Sequence, residues 1–271
     1  MIQNIVVSLD GSDFSTRALP IGAGLADAAT AGLRVVGIAA TDAEFAWMYD
    51  QVWGDVKRAG LDGIDVEVLV DPDPVAALLE MAANREKVLC FATHDRLNGT
   101  AKVRHAVGSL VLERARHPVV LVGPKASVEP LEGDVVVGLD GVRDPEPLLT
   151  VGAAWALQLG SRLRLVTVYD PVPADLDRPG HYERDHGPAV DPDEYLAFVR
   201  ESVAGVGVAV DTVAIDDAVS VATGLEQHLE DAPARILVLG GGHRRPTLSG
   251  GVARHLLRNV TVPLLVVRRM S

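Results

Sequence analysis

The 271-residue chain is 48% hydrophobic and 23% charged, a balance typical of globular proteins, and its length suits two ordinary domains. Its formal net charge of −12 opposes non-specific binding to nucleic acid or to an anionic membrane, because their phosphates would be repelled. The single cysteine, Cys90, excludes an internal disulfide framework, and its apolar neighbours predict a buried strand residue. The sequence shows no signal peptide and no apolar run near about 18 residues, so we expect a cytoplasmic protein without a membrane span.

Apolar runs alternate with helical patterns through the first half of the chain. Each run is apolar throughout rather than at every second position, which is typical of parallel strands covered on both faces. A helix is expected at Pro74–Arg85, where proline in the first turn removes no helical hydrogen bond. The predicted strands are Ile5–Leu9, Leu33–Ala39, Val66–Val70, Val88–Ala92 and Val119–Val122.

The second half has the same order of elements. Its segment Pro171–Glu194 is rich in Pro, Asp and Gly and is too long for a simple connection, so we expect either a mobile flap or a disordered segment. Right-handed crossovers then predict an α/β protein with two tandem, doubly wound, mainly parallel five-stranded sheets flanked by helices. The predicted strands are Val135–Leu139, Leu163–Tyr169, Val208–Val213, Ile236–Leu239 and Leu264–Val267.

The two halves are similar in sequence, which indicates a tandem duplication. Asn4–Ala29, which begins NIVVSLDG, matches Asp134–Leu159, which begins DVVVGLDG. Gly108–Pro124 matches Gly250–Arg269, since each contains a helix, a proline and a short apolar strand. A period of half the chain is far too long for a solenoid. The predicted domains are residues 1–126 and 134–271, with a linker at Glu129–Gly133.

An Asp-Gly pair follows the first predicted strand of each half. These pairs, Asp10-Gly11 and Asp140-Gly141, lie where ligands of open parallel sheets bind, beyond the carboxyl ends of the strands. The aspartate can accept hydrogen bonds from a ribose or an adenine amine, and the glycine lets a ligand approach the backbone. Alternatively, each pair only forms the turn from strand to helix. For one copy considered by itself, this structural interpretation is favoured.

A second pair of residues is predicted to open the helix before the last strand of each half. Amides at a helix N-terminus, aided by the helix dipole, bind anions without a lysine. Gly108-Ser109 offers such amides and a hydroxyl donor, whereas Gly250-Gly251 offers the amides alone. The alternative is an ordinary helix cap, since serine and glycine are common there.

Other chemical motifs give weaker signals. HYERDH at His181–His186 contains several possible metal ligands, but it lies in the irregular segment, which favours a solvated loop over a metal site. The sequence has no Gly-x4-Gly-Lys-(Ser/Thr) phosphate loop, no Gly-x-Ser-x-Gly elbow and no His-Glu-x-x-His motif. We therefore predict no catalytic residue.

Together these features resemble the universal stress protein family. The resemblance rests on an apolar strand ending in Asp-Gly-Ser and on a later strand that leads to a His-containing loop, Gly-Ser, a helix and PVVLV. It spans both halves and implies a tandem, Rossmann-like, adenine nucleotide alpha-hydrolase-like protein that serves as a stress-response regulator. It implies ATP, with or without Mg²⁺, or another adenine nucleotide as the ligand. It also implies that the last strands, VVLV and LLVV, pair edge to edge, either between the halves or in a homodimer.

The resemblance and the Asp-Gly turns together define the predicted nucleotide contacts. In the first half they are Asp10, Gly11, Ser12, Ile38, Ala92, His94, Gly108 and Ser109. In the second half they are Asp140, Gly141, Val168, Gly240, Gly242, His243, Gly250 and Gly251.

Both halves depart from the family's phosphate loop, Gly-x2-Gly-x9-Gly-(Ser/Thr). In the first half Asp95 replaces the second glycine, and twelve residues rather than nine separate it from Gly108. In the second half nine residues lie between Gly240 and Gly250, where the pattern has twelve. Two functions follow as alternatives. One is a regulator that binds an adenine nucleotide in at least one half and hydrolyses it slowly at most; the other is an interaction protein whose altered sites bind no nucleotide.

Overall fold

The computed structural model describes residues 1–93, 102–129, 131–141, 146–169, 191–216, 220–241 and 251–268. Strands and helices alternate along these ranges. The strands are β1 (Asn4–Leu9), β2 (Gly32–Ala39), β3 (Asp65–Val70), β4 (Lys87–Ala92), β5 (Val119–Val122), β6 (Asp134–Leu139), β7 (Leu163–Tyr169), β8 (Val210–Asp216), β9 (Ala234–Gly241) and β10 (Leu264–Arg268). The helices are α1 (Ala18–Ala28), α2 (Asp42–Arg58), α3 (Pro74–Met81), α4 (Lys102–Arg114), α5 (Glu146–Gln158), α6 (Pro192–Ser202), α7 (Val221–Asp231) and α8 (Gly251–Asn259).

The predicted strands are confirmed, with one clear shift in β8. This strand runs from Val210 to Asp216 rather than from Val208 to Val213, because it pairs with β7 from Val210 opposite Leu163 to Asp216 opposite Tyr169. Helix α3 ends at Met81 rather than Arg85. The Asn84 side chain accepts a hydrogen bond from the amide of Glu86, which forms a turn in place of further helix.

The prediction that Pro171–Glu194 is irregular is wrong at the end of this segment, because α6 begins at Pro192. The Asp191 side chain accepts hydrogen bonds from the amides of Asp193 and Glu194, and Pro192 occupies the first turn. This combination of an aspartate cap and a first-turn proline stabilises a helix start. Residues 170–190, including HYERDH, lie outside the described ranges.

The two halves form one continuous sheet instead of two separate ones. The strand order is β3-β2-β1-β4-β5-β10-β9-β6-β7-β8, and the described pairings within each half are parallel. Between the halves, β5 and β10 pair antiparallel, with Val120 opposite Leu265. The edge-to-edge pairing of last strands is therefore confirmed between the halves of one chain.

Buried side chains cover both faces of the sheet. In β1, Ile5 and Val7 belong to one core cluster and Val6 belongs to the other, as the alternation of side chains along a strand requires. The predicted burial of Cys90 is confirmed, because the residue is fully buried and burial raises the pKa of its thiol to about 12. None of the helices in the described ranges is long and apolar enough to cross a membrane.

A close helix-to-strand contact recurs at equivalent positions of the two halves. A Cβ added to Gly22 of α1 would lie 2.3 Å from Cγ2 of Val7, and one added to Gly152 of α5 would lie 2.5 Å from Cγ2 of Val137. Both glycines let the helix approach the first strand of its half, and each lies 15 positions after the valine that it meets. The packing, like the sequence, is duplicated.

Candidate functional site

A cavity of about 740 Å³ opens at the carboxyl end of the first-half strands. Strand β1 lies between β2 and β4, so the chain leaves it in opposite directions and the strand order reverses at this point. Ligands of doubly wound proteins bind in the crevice that such a reversal creates. The cavity brings together five of the predicted first-half residues, which are Asp10, Ser12, Ile38, Ala92 and Gly108.

The Asp10 carboxylate is fixed by the turn that follows β1. Its Oδ1 accepts hydrogen bonds from the Ser12 amide at 3.0 Å and from the Ser12 hydroxyl at 2.5 Å. Gly11 between them has a φ of 75°, a conformation that glycine adopts without strain. The structural role of this Asp-Gly turn is therefore confirmed. Because Asp10 is exposed and lines the cavity, its carboxylate also faces any ligand held there.

An aromatic wall stands against this turn. A Cβ added to Gly11 would lie 2.7 Å from Cη2 of Trp47, so the indole packs directly over the glycine. Trp47 lies in α2, lines the cavity and is 47% exposed. Trp47 was not among the residues predicted from the sequence. The available signal was the unusual number of aromatic residues in α2, in a chain whose aromatic content is only 4%.

The cavity wall combines acidic, hydroxyl-bearing and aromatic side chains. The carboxylates belong to Asp10, Glu44 and Asp71; the hydroxyls to Ser8, Ser12, Ser15 and Thr93; and the aromatic rings to Phe14, Trp47 and Phe91. The lining residues that the structure describes include no lysine, arginine or histidine. The described wall is thus rich in hydrogen-bond acceptors and apolar surface and is electronegative.

Two of these carboxylates also stabilise the local backbone. Oε2 of Glu44 accepts a hydrogen bond from the Ala40 amide at 3.0 Å, and Oδ1 of Asp71 accepts one from the Asp73 amide at 2.8 Å. Both contacts occur at turns that lead into helices, so these acids are held in place next to the cavity. A polar group of a ligand would meet oriented acceptors.

Gly108 lines the cavity, but the prediction that Gly108-Ser109 opens a helix is wrong. Helix α4 begins at Lys102, six residues earlier, so Gly108 lies in the interior of the helix. Interior amides bond to carbonyls of the preceding turn and are not free to bind an anion. A Cβ added to Gly108 would lie 3.1 Å from Cε2 of Phe91, so the glycine allows close packing between α4 and β4. His94 lies outside the described ranges, as does the side chain of Ser109.

The predicted second-half residues that the structure describes lie at the matching end of the other five strands. Asp140 is exposed, Gly141 has a φ of 74°, and Val168 is half-buried near the end of β7. At the end of β9, a Cβ added to Gly240 would lie 3.3 Å from Leu148 of α5. Gly251 is helical as the first described residue of α8, whereas Gly242, His243 and Gly250 lie outside the described ranges, so the predicted helix start at Gly250-Gly251 stays a prediction.

The fold and the cavity define a doubly wound α/β protein with a candidate ligand site at the switch point of its first half. A model of the universal stress protein family matches residues 133–268, which is half of the chain. The chain therefore belongs to the universal stress protein family. No curated protein is similar enough to the chain to count as a match.

Two solved structures that cover almost the whole chain have the same fold. A universal stress protein from Archaeoglobus fulgidus DSM 4304 is 16% identical, with a TM-score of 0.65 and coverage of 98% of each chain. A putative universal stress protein from Pseudomonas aeruginosa UCBPP-PA14 is 14% identical, with a TM-score of 0.58 over 98% of this chain and 93% of its own. A universal stress protein in complex with cAMP is 26% identical over 45% of this chain and 96% of its own, with a TM-score of 0.37.

Proposed function

We propose that this protein is a stress-response regulator that binds an adenine nucleotide in its first half. The observation that carries the proposal is the cavity at the switch point, where Asp10, Ile38 and Trp47 face one space. Binding sites of small molecules combine apolar walls with a few well-placed polar groups, and this cavity has both.

The apolar part of the cavity suits a purine ring. Trp47 offers an exposed aromatic face, and Ile38 with the largely buried Met48 and Phe91 adds apolar surface. Base-to-aromatic stacking contributes about 1–3 kcal/mol for each base. The exposed indole of Trp47, packed over Gly11, gives the ring a wall that the turn itself holds in place.

The polar part of the cavity suits a ribose. A sugar hydroxyl is a hydrogen-bond donor, and Asp10 offers a charged acceptor at the end of β1. Ser12 already bonds to one carboxylate oxygen of Asp10, which orients the group and leaves Oδ2 for a ligand. Hydrogen bonds to a charged group contribute about 1.5–3 kcal/mol each, so loss of this acceptor is expected to weaken binding by about tenfold or more.

The negative charge of the described wall predicts which adenine compounds bind with higher affinity. Asp10, Glu44 and Asp71 all disfavour a nearby polyphosphate, and no cation among the described lining residues offsets them. We include ATP with Mg²⁺ in the proposal, because the metal would offset part of the phosphate charge. We expect AMP or adenosine to bind at least as tightly as ATP without Mg²⁺.

The first test is to identify the ligand of the purified protein. Protein prepared without added nucleotide is denatured and its supernatant is analysed by mass spectrometry, followed by calorimetric titration with adenosine, AMP and ATP with and without Mg²⁺. We expect adenine-containing compounds to bind and the variant Asp10→Asn to lose about tenfold in affinity. The matched control is Asp140→Asn, at the equivalent turn of the second half, which is expected to leave first-half binding unchanged.

The alternative is an interaction protein whose altered sites bind no nucleotide. The acidic cavity wall favours this alternative, because the described residues provide no cation for a phosphate. Absence of any adenine compound in the supernatant, together with no heat at millimolar adenosine, AMP or ATP, would reject the nucleotide-binding proposal and leave this alternative.

A further inference from the structure

Two serines hold the turn that follows β1 through a network of hydrogen bonds, here called the serine network. The Ser12 hydroxyl donates to Oδ1 of Asp10 at 2.5 Å and accepts a hydrogen bond from the Ser15 amide at 3.2 Å. The Ser15 hydroxyl donates to the carbonyl oxygen of Ser12 at 2.7 Å and accepts a longer hydrogen bond from the Asp10 amide at 3.4 Å. Ser15 therefore contacts both ends of the turn that carries the Asp10 carboxylate.

Ser15 is buried, although it belongs to the wall of the ligand cavity. The residue is 5% exposed and begins a single turn of 3-10 helix at Ser15–Arg17. Its hydroxyl donates one hydrogen bond and accepts another, so partners within the protein already use both of these capacities. We therefore expect Ser15 to affect a ligand through the turn that it holds and not by direct contact.

The serine network orients the Asp10 carboxylate before any ligand binds. Asp10 is exposed, and an exposed aspartate without such partners changes rotamer freely. Here the amide and the hydroxyl of Ser12 both donate to the same oxygen of Asp10, and Ser15 in turn holds the hydroxyl and the carbonyl of Ser12. A binding group that is oriented in advance loses less conformational entropy when the ligand arrives.

The sequence of the second half has no serine at the equivalent positions. In the alignment of the two halves, Val142 and Pro145 correspond to Ser12 and Ser15. Neither of these side chains has a hydroxyl group, and proline also has no amide hydrogen to donate. The duplication therefore kept the Asp-Gly pair, whereas the residues that form the serine network are particular to the first half.

We propose that Ser15 is a positioning residue, which holds the Asp10 carboxylate in the orientation that accepts a hydrogen bond from a ribose hydroxyl. The identity of this ligand rests on the proposed nucleotide function of the first half, whereas the hold on Asp10 does not. The role gives Ser15 an effect on specificity. A nucleoside with sugar hydroxyls gains affinity from the oriented acceptor, and one without these hydroxyls does not.

The test compares adenosine with 2′,3′-dideoxyadenosine, which lacks two sugar hydroxyls, in calorimetric titrations of the full-length chain. Ser15→Ala is expected to weaken adenosine binding by about fivefold and to change dideoxyadenosine binding by less than about twofold. In the Asp10→Asn background, the same substitution is expected to weaken adenosine binding by less than about twofold, because the group that it positions is already altered. Equal losses for the two nucleosides, or an undiminished loss in the Asp10→Asn background, overturn the proposal.

Thr16→Ala is the matched control from the same turn of helix. The Thr16 hydroxyl donates to the carbonyl oxygen of Asp13 at 2.7 Å, which repeats the distance and the three-residue spacing of the bond from Ser15 to Ser12. Both variants lose one such hydroxyl, but only Ser15→Ala removes a partner of the Asp10 turn. Thr16→Ala is therefore expected to leave adenosine affinity unchanged, and thermal unfolding checks that both variants are folded. Equal losses of affinity in the two variants also overturn the proposal.

A measurement without ligand separates this proposal from the nucleotide function. Three-bond NMR couplings show whether the Asp10 side chain keeps one χ1 rotamer, which we expect in the native chain and in Thr16→Ala, or averages over several, which we expect in Ser15→Ala. If Asp10 averages in Ser15→Ala but the native chain binds no adenosine, the nucleotide function fails and the hold of Ser15 on Asp10 is upheld. If Asp10 keeps one rotamer in Ser15→Ala, the positioning role is overturned whether or not adenosine binds.

Discussion

The turns after the first strands of the two halves have the same backbone but different surroundings. Gly11 and Gly141 have φ values of 75° and 74°. A Cβ at Gly11 would lie 2.7 Å from Trp47, whereas no described atom lies within 4 Å of a Cβ at Gly141. Both copies of the duplicated turn have this conformation, so we attribute the conformation to the fold. Among the described residues an aromatic wall is found only at Gly11, which supports the proposed ligand site in the first half.

The opposite end of the sheet shows a second difference. Arg164 in β7 and Arg34 in β2 are at equivalent positions of the repeat. Arg164 pairs with the buried Asp134, whereas Arg34 pairs with Asp65 and Glu67 on the exposed edge strand β3. The same side chain therefore belongs to a buried ion pair in one half and to a surface pair in the other. The following variants test how far the halves differ.

The largest effect is expected from Asp134→Ala. This change leaves Arg164, whose side chain is 12% exposed, without its buried carboxylate, and loss of one partner of a buried pair costs about 3–5 kcal/mol. The matched variant is Asn4→Ala at the equivalent first-half position, for which we expect less than about 1 kcal/mol. Urea unfolding measures both. Similar losses for the two variants would mean that the ion pair adds little to the second half.

The next effect tests a feature that the halves share. Gly22→Ala and Gly152→Ala each push a methyl group into a valine of the first strand, which is expected to cost about 1–3 kcal/mol in either half. Gly24→Ala in the same helix α1 is the control, because no described atom lies within 4 Å of the new methyl group. We expect it to stabilise the protein by about 0.5–1 kcal/mol, measured by urea unfolding.

A smaller effect separates the two Asp-Gly turns. Gly11→Ala and Gly141→Ala both place a side chain at positive φ, which costs about 1–2 kcal/mol of stability in each half. Only Gly11→Ala also displaces Trp47, so only that variant is expected to lower the affinity for adenosine or AMP. Calorimetry of both variants at equal protein concentration makes the comparison. An equal loss of affinity in the two would assign the effect to the backbone and not to the indole.

The smallest effect concerns the pH dependence of the second half. Burial lowers the pKa of His228 below its ordinary value of about 6.5, and the nearby charge of Arg164 lowers it further. The unfolded chain therefore takes up a proton before the folded chain does as the pH falls. Stability from this residue is complete above about pH 6.5 and is lost on acidification through its lower folded pKa. His228→Leu is expected to flatten the unfolding free energy measured between pH 7 and pH 5.

The sequence was sufficient to predict the strands but not all of the site. Continuous apolar runs such as Val119–Val122 identify buried parallel strands directly, because few other structures tolerate them. The start of α4 was misplaced because a Gly-Ser pair resembles a cap, whereas nothing between Lys102 and Gly108 breaks a helix. Trp47 was missed because its role depends on contact with Gly11, 36 positions earlier in the sequence.

The antiparallel join of β5 and β10 has a consequence for how this protein can change over generations. In an assembly of two identical subunits, each inherited substitution appears on both sides of the symmetry axis. In a single chain that contains both halves, each half is encoded by its own part of the gene. A substitution in one half is therefore not repeated in the other. Trp47 packs against Gly11, whereas no described atom lies within 4 Å of a Cβ at Gly141, and such independence allows an asymmetry of this kind.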